Sequence, residues 1–335
     1  MGEIMYILGI ETSCDETSAS VLKDGKKILS NIISSQMETH ENFGGIVPEL
    51  ASRSHLENIS RVVLRSLKEA EIKKEQLTKI AVTYAPGLVG SLLVGISYAK
   101  AFAYALNIPL LGVHHLYGHI SANFIEHEIT FPAIALVVSG GHTCIFYMKH
   151  YTSVEQIAST RDDACGEVFD KIARELKLGY PGGPVIDKIS KSGDPSLFPF
   201  PMPRFKSGNT FDFSYSGLKT SVLEVIRKNP EAKKEDILAS FQKAAIDLLH
   251  RNTLKLLEAN KIKTLLISGG VACNSYLREK FESLREVGYN VFYPSPVLCT
   301  DNAAMIACAG YYLPEPEDKL NLALNAVPNI ELKMT

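Results

Sequence analysis

Residues 6–23 read YILGIETSCDETSASVLK, and this stretch decides the fold class. Two apolar runs flank a polar turn at 11–17, which predicts two strands joined by that turn. Residues 133–149 repeat this organisation around the turn Gly140-Gly141, and strands alternate with helical patterns later in each half. Because the same order of elements occurs twice, the sequence predicts two related α/β lobes facing a central cleft.

The segments between these strands carry their own patterns. Helical spacing predicts a helix over 48–70. Its predicted inward-facing side chains are Leu50, Leu56, Ile59, Val63 and Leu67. The apolar stretch 87–113 contains Pro109, which would break a continuous helix, so it predicts a buried helix and a buried strand rather than a membrane span. Glycines and prolines predict a loop-rich section over 179–219.

Composition excludes several classes of protein. The 335 residues carry 35 basic and 37 acidic side chains, a formal charge of −2, whereas a dedicated nucleic-acid binder usually has a strongly basic surface. Contact with DNA or RNA would therefore use a local patch or a partner. The six cysteines form no C-x-x-C pair, which argues against a zinc ribbon and a disulfide framework. The N-terminus lacks the basic region of a signal peptide, so a reducing cytosol is expected.

The strongest local motif is a pair of histidines, His115 and His119. Four residues apart on a helix, they share one face and can bind one cation. A zincin protease needs a glutamate directly after the first histidine, and Leu116 stands there. Two imidazoles leave a metal site incomplete, so a carboxylate is expected, and Asp301 is the best candidate. The alternative for Asp301 is the N-cap of a helix that begins near Ala303.

Two glycine turns form a second candidate site. One occupies 138–142, and the other occupies 268–274, where a helix follows it. Backbone N–H groups in such turns can approach an anion, although one turn alone is more often only a turn. Together with the turn at 11–17 they favour a nucleotide or phosphate site. Nearby, Asp170 could accept hydrogen bonds from ribose hydroxyls or belong to a solvated helix face.

Aromatic and basic residues also combine in the section 198–219. Such a segment could stack on and neutralise RNA, and packing against its own domain is an equal alternative.

Several of these motifs together resemble a known family. Residues 9–17, GIETSCDET, and 100–120, centred on H-x-x-G-H, resemble the signatures of bacterial tRNA threonylcarbamoyladenosine transferases, long described as O-sialoglycoprotein endopeptidases. Similar blocks occupy 44–52, 137–143, 162–171, 180–184, 212–220, 269–274 and 299–304. The Leu116-Tyr117 pair differs from the Met-Glu of some members, in an interval that varies. The resemblance covers nearly the whole chain.

The resemblance implies an α/β fold of the actin-like, Hsp70-like ATPase type with two lobes and a central cleft. The expected lobes are 1–130, on which 305–335 would pack, and 131–304. The implied reaction moves a threonylcarbamoyl group from threonylcarbamoyl-AMP to the exocyclic amine of adenosine 37 in tRNAs that read ANN codons. AMP is released, and a metal assists.

The resemblance also implies the site residues and partners. A divalent metal, iron or zinc, would be held by His115, His119 and Asp301. The donor, or ATP, ADP or AMP in its place, would contact Val137, Val138, Ser139, Gly140, Gly141, Asp170, Gly183, Asp187 and Asn274. Glu11 and Asp15 are candidates for the group that removes the amine proton. Besides tRNA, the implied partners are two smaller proteins, an inactive paralogue-like subunit and a small ATPase. The expected location is the cytoplasm without membrane contact, as a homodimer or heterodimer.

Three other functions remain open from the residues. A metallopeptidase lacks its catalytic glutamate at position 116. An actin-fold sugar or acid kinase would need a carboxylate base and an acceptor pocket. A nucleotide-gated scaffold would have no use for the paired histidines.

Overall fold

A computed structural model describes residues 4–41, 43–203 and 211–334. The chain divides into two compact units, Met1–Glu128 with Pro294–Thr335, and Ile129–Tyr293. Residues 294–304, which the sequence assigned to the second lobe, cluster with the first unit. Asp301 therefore belongs to the same unit as His115 and His119.

The first unit is built on one mixed sheet in the order β3-β2-β1-β4-β5. Its strands are β1 (Tyr6–Glu11), β2 (Glu16–Lys23), β3 (Lys27–Ser35), β4 (Lys79–Ala85) and β5 (Leu110–His114). Strand β1 pairs antiparallel with β2 and parallel with β4. Asp24 and Gly25, with φ of 53° and 72°, form the tight turn between β2 and β3.

Helices cover both faces of this sheet. They are α1 (Met37–Glu41), α2 (Pro48–Glu69), α3 (Val89–Leu106), α4 (His115–Glu126), α10 (Pro296–Cys299) and α11 (Ala303–Tyr312). A short strand, β11 (Lys333–Met334), lies near the C-terminus. Leu8 and Ile10 join the core formed with α2 and α3. Gly9 faces α11, and a Cβ there would lie 2.2 Å from the Ala303 carbonyl oxygen. Only glycine allows α11 to pack this closely against β1.

The predicted inward face of α2 is partly wrong. Ile59, Val63 and Leu67 are buried as expected, but Leu56 is 69% exposed. It lies beside an open groove between α2 and α3 that Leu93 also lines. A regular repeat of leucines identifies an apolar face, but it does not say whether the same chain covers that face.

The stretch 87–113 forms a helix and a strand, as predicted. By length and composition alone, α3 could span a bilayer, although a core helix passes the same test. Here α3 packs on β4 and α2.

The second unit repeats the topology of the first. Its strands follow the order β10-β9-β6-β7-β8, with bounds β6 (Ala133–Val138), β7 (Thr143–His150), β8 (Ser153–Ser159), β9 (Thr264–Ser268) and β10 (Asn290–Phe292). Strand β6 pairs antiparallel with β7 and parallel with β9, as β1 does with β2 and β4. The predicted duplication is confirmed.

The helices of the second unit include two that the sequence did not predict. They are α5 (Cys165–Glu175), α6 (Gly182–Ser190), α7 (Ser216–Lys228), α8 (Lys234–Asn260) and α9 (Ser275–Glu286). Helix α6 lies inside the section 179–219 that was expected to be loop-rich, and α7 begins at the end of that section, where no helix was predicted. Pro184 sits in the first turn of α6, where no backbone N–H is needed, so this proline starts a helix rather than breaking one. Of the aromatic and basic section, residues 204–210 lie outside the described part of the chain.

Candidate functional site

Helix α4 brings the two histidines of the motif together. His115 and His119 stand one turn apart, with ring centroids 4.6 Å apart and planes at 78°. Their Nε2 atoms lie 3.5 Å and 3.2 Å, respectively, from Oδ1 of Asp301. One ligand atom from each of the three residues lies within 4.8 Å of the others. Such a convergence of two imidazoles and a carboxylate is typical of a transition-metal or zinc site.

Asp301 does not have the capping role that the sequence left open. The side chain of Asn302 accepts the hydrogen bond from the Met305 backbone N–H and caps α11. Asp301 lies in the turn just before, 20% exposed, beside the two histidines. The N-cap alternative is therefore wrong.

The other ring nitrogen of His115 faces a buried carboxylate. Its Nδ1 lies 3.1 Å from Oε2 of Glu11 and 3.2 Å from Oγ of Ser13. Burial alone would raise the pKa of Glu11, but the charge of His115 holds this pKa below its ordinary value, so Glu11 is ionised. A carboxylate only accepts, which means that Nδ1 carries a proton, while Nε2 on the other side of the ring faces Asp301.

His119 lacks hydrogen-bond partners among the described residues. The residue is fully buried, and neither ring nitrogen makes a hydrogen bond there. Nε2 is close to Oδ1 of Asp301 but is not aligned for a hydrogen bond. Buried polar atoms without a partner are uncommon and costly, and a bound cation would satisfy this nitrogen. Burial also lowers the pKa of His119, which favours the neutral form that a metal requires.

The electrostatics of this site favour a positive charge. Burial would lower the pKa of His115, but the carboxylates of Asp301 and Glu11 raise it to about 9. Glu16, half-buried near Asp301, Asp15 and Glu11, has its pKa raised to about 10, first by burial and then by these like charges. A metal ion would take the place of the proton on His115 and neutralise part of the acidic cluster. The residues present therefore fit a divalent cation.

The two candidate bases differ in their surroundings. Glu11 is 1% exposed, and its Oε1 accepts a hydrogen bond of 2.6 Å from the Ser13 backbone N–H. Its Oε2 accepts a second hydrogen bond of 2.6 Å from Oγ1 of Thr83. Asp15 is 9% exposed and lies next to Glu16. Thr83 is a partner that the sequence gave no reason to select, because it is one polar residue in a buried strand.

The second candidate site lies at the ends of β6 and β9, in the second unit. Val137 and Val138 are fully buried in β6, so only their backbone can reach a ligand. Ser139 follows, and its backbone N–H donates to the His142 carbonyl to close the turn, which leaves Gly140 and Gly141 exposed. A Cβ on Gly269, after β9, would lie 2.3 Å from the Val138 carbonyl oxygen. The two predicted glycine turns are thus neighbours.

Seven glycines in this unit divide into two groups. Gly166, Gly182 and Gly269 are required by packing, because a Cβ on any of them would meet backbone atoms at less than 3 Å. At Gly140, Gly141, Gly183 and Gly270 a Cβ would meet no described atom within 4 Å. Neither packing nor a positive φ explains glycine at the second group of positions. Close approach of a ligand to the backbone would explain it.

Asp170 and Asp187, the acidic residues predicted to contact the donor, make hydrogen bonds to the ends of helices. Oδ1 of Asp170 accepts a hydrogen bond of 2.7 Å from the Gly182 backbone N–H at the start of α6. Oδ1 of Asp187 accepts hydrogen bonds from the backbone N–H and the hydroxyl of Ser275. These contacts join α5 to α6 and α6 to α9.

Asn274 caps α9. Its Oδ1 accepts from the Leu277 backbone N–H, and its Nδ2 donates to Oε1 of Gln242 at 2.8 Å. Gln242 is a neighbour that sequence reasoning missed, because nothing in the long helix α8 marks it.

Comparison with known proteins identifies the family. A family model described as tRNA N6-adenosine threonylcarbamoyltransferase matches residues 27–308. The chain belongs to this family. It is 51% identical over 338 residues to the tRNA N6-adenosine threonylcarbamoyltransferase of Clostridium kluyveri, covering 99% of each chain. It is 53% identical over 331 residues to that of Clostridioides difficile, covering 97% of this chain and 98% of the relative. The predicted function, a transferase that modifies adenosine in tRNA, is confirmed.

Solved structures show the fold of this threonylcarbamoyltransferase. Full-length HypF in a phosphate- and nucleotide-bound form matches with a TM-score of 0.61 at 17% identity, over 92% of this chain and 55% of HypF. Component A of the Acidaminococcus fermentans (R)-2-hydroxyglutaryl-CoA dehydratase matches with a TM-score of 0.53 at 18% identity, over 92% and 97%. The predicted actin-like α/β fold class is confirmed.

Proposed function

We propose that this transferase moves the threonylcarbamoyl group from threonylcarbamoyl-AMP to the exocyclic amine of adenosine 37 in tRNAs that read ANN codons, and releases AMP. The observation that carries the proposal is the convergence of His115, His119 and Asp301 in a protein of this family. The amine is a poor nucleophile, so the acyl group must be made more electrophilic.

His115, His119 and Asp301 are the proposed ligands of one divalent metal, iron or zinc. Two imidazoles and one carboxylate suit either ion and leave coordination positions for a substrate. When bound, such an ion supplies a Lewis acid that polarises a carbonyl oxygen. Glu11 keeps the proton of His115 on Nδ1, which holds Nε2 in the ligand form.

The donor nucleotide is proposed to bind in the second unit. The contacts would come from Val137, Val138, Ser139, Gly140, Gly141, Asp170, Gly183, Asp187 and Asn274. The open space at Gly140, Gly141 and Gly183 supports the proposal, because backbone N–H groups there could approach a phosphate. AMP leaves as a stabilised phosphate and needs little acid assistance. ATP or ADP would use the same contacts.

Asp15 is the better of the two candidates for accepting the amine proton. Both oxygens of Glu11 already accept hydrogen bonds, from Ser13 and Thr83, and Oε2 also faces His115. A general base needs an oxygen that can reach the proton it removes. Glu11 is therefore assigned to positioning and Asp15 to proton transfer.

The apolar face formed by α2 and α3 is the proposed docking surface for the paralogue-like partner. Its exposed apolar side chains include Leu56, Leu64, Val89, Leu93 and Tyr104. A cluster of large exposed apolar residues on neighbouring helices is typical of an interface with another apolar helical surface. The partners, among them the small ATPase, would also supply the basic surface that a chain of charge −2 lacks for tRNA. The cytoplasm, where tRNA is modified, is the proposed location.

The decisive experiment supplies threonylcarbamoyl-AMP, unmodified tRNA and the partner proteins, and measures threonylcarbamoyladenosine by mass spectrometry of nucleosides. Wild type is expected to form the product, and Asp301→Asn to lose at least about 100-fold in rate, since the acyl group is no longer polarised. Glu317→Gln, at an exposed carboxylate of the same unit, is the matched control and should keep full activity. Equal activity of Asp301→Asn and wild type would refute the metal-assisted reaction.

A further inference from the structure

The C-terminal residues 327–330 form a strap along the loops next to the metal site. The Val327 backbone N–H donates to the Tyr84 carbonyl at 2.9 Å, and the Gly87 backbone N–H donates to the Pro328 carbonyl at 3.2 Å. The carbonyl oxygen of Ile330 lies 3.1 Å from Nε2 of His114. The strap thus contacts the end of β4, the turn before α3 and the residue before α4.

His114 connects this strap to the helix that carries both proposed metal ligands. Its Nδ1 accepts a hydrogen bond of 3.2 Å from the Leu116 backbone N–H, which makes His114 the N-cap of α4. A carbonyl oxygen only accepts, so Nε2 carries the proton and donates it to Ile330. The side chain is 5% exposed, and both of its nitrogens are used. An N-cap side chain with one hydrogen bond can rotate, but the imidazole of His114 is held by a hydrogen bond at each ring nitrogen.

A second line of contacts runs from the strap to the other side of His115. Gly87, which donates to Pro328, is followed by Leu88, whose backbone N–H donates to the Ser13 carbonyl at 2.9 Å. Oγ of Ser13 lies 3.2 Å from Nδ1 of His115. The strap therefore reaches the surroundings of His115 from both sides, through His114 and through Ser13.

We propose that His114 is a positioning residue, which ties the N-terminus of α4 to the C-terminal strap and so sets the orientation of His115 and His119 for metal binding. The inference rests on the proposed metal site. It assigns a role to the tail of the chain, more than 200 residues away in sequence from the helix it orients. Neighbours that orient metal ligands typically change metal affinity by about 10- to 100-fold when they are removed.

The test measures two quantities on the full chain. Affinity for Co²⁺ is followed by its visible absorption, and hydrogen exchange of the α4 amides is followed in metal-free protein. His114→Ala removes both the cap and the bond to the strap. We expect about 10-fold weaker Co²⁺ binding and about 10-fold faster exchange at Leu116. His114→Asn keeps a capping oxygen but is too short to reach Ile330. It should keep protection at Leu116 and still bind Co²⁺ several-fold more weakly.

Controls separate this inference from the metal site itself. Glu331→Gln, at an exposed position of the same tail, should leave both quantities unchanged. A chain that ends at Pro328 removes the Ile330 carbonyl and leaves His114 intact, so it should match His114→Asn. Normal Co²⁺ affinity in His114→Asn would overturn the proposal. If the wild type binds no Co²⁺, the proposed metal site is refuted. The positioning role is tested separately by hydrogen exchange, and an unchanged exchange rate of the α4 amides in His114→Ala would overturn it.

Discussion

Oε2 of Glu11 and Nδ1 of His115 lie 3.1 Å apart, although 104 residues separate them along the chain. Glu11 ends the central strand β1, and His115 begins the helix that follows the edge strand β5. The parallel arrangement of β1, β4 and β5 brings these ends to one edge of the sheet. A buried, ionised carboxylate therefore controls which nitrogen of His115 is available for a metal.

Glu11→Gln should weaken metal binding by about 10- to 100-fold. The amide keeps the shape of the side chain but loses the charge that holds the proton on Nδ1 of His115. The affinity for Zn²⁺ is measured by competition with a chelator. Glu49→Gln, on the exposed first turn of α2, is the control. Unchanged affinity in Glu11→Gln would show that the carboxylate does not orient the imidazole.

Glu16→Gln should stabilise the metal-free protein increasingly as the pH rises. The folded-state pKa of Glu16 is raised from 4.5 to about 10, first by burial, so the folded chain keeps a proton that the unfolded chain releases. Below pH 4.5 this raised pKa does not change the free energy of unfolding. Between pH 4.5 and about 10 it lowers the free energy of unfolding progressively. Melting temperatures in a chelator at pH 4 and pH 8 test the prediction. A difference between variant and wild type that does not depend on pH would contradict it.

Gly269→Ala should destabilise the second unit by about 2–4 kcal/mol. Gly269 has a φ of 92°, and a Cβ there would lie 2.3 Å from the Val138 carbonyl oxygen. Gly270→Ala is the matched control, because a Cβ there meets no described atom within 4 Å, and it should stay within about 0.5 kcal/mol of wild type. Urea denaturation gives both free energies of unfolding. Equal values for the two variants would refute the packing argument.

Gly140→Ala should lower the affinity for AMP without lowering stability. The position is exposed and open among the described residues, so the methyl group would occupy only space that a ligand needs. We expect at least a 10-fold loss of AMP affinity by calorimetry, with an unchanged melting temperature. Normal AMP binding would mean that the nucleotide does not approach this turn.

Leu56→Lys should abolish binding of the paralogue-like partner and leave the isolated chain as stable as wild type. Leu56 is 69% exposed, so its removal costs the free chain little, whereas a lysine would bury a charge in the interface. Co-purification with the partner and the melting temperature are measured. Leu322→Lys, at an exposed leucine outside α2 and α3, is the control. Retained binding in Leu56→Lys would remove this face as the docking surface.

Local patterns were sufficient for much of the fold. The helix and strand predicted over 87–113 are present as α3 and β5, and the duplicated strand order follows from two strand–turn–strand units. Helix α6 was missed because glycine and proline usually indicate a turn. Here they occupy the first turn of the helix, where both residues are tolerated. Leu56 was assigned to the wrong environment because periodicity shows which side of a helix is apolar but not what covers that side.

The sequence by itself determined that His115 and His119 share one helical face, since a spacing of four residues specifies that geometry wherever the helix lies. It also pointed to Asp301, but it left capping and metal binding equally open. The tertiary structure excluded capping, because Asn302 is the cap, and it placed Oδ1 of Asp301 beside both imidazoles. The contacts of His115 with Glu11 and of His114 with Ile330 span 104 and 216 residues. Such contacts depend on how distant strands and segments pack together, which no local pattern encodes.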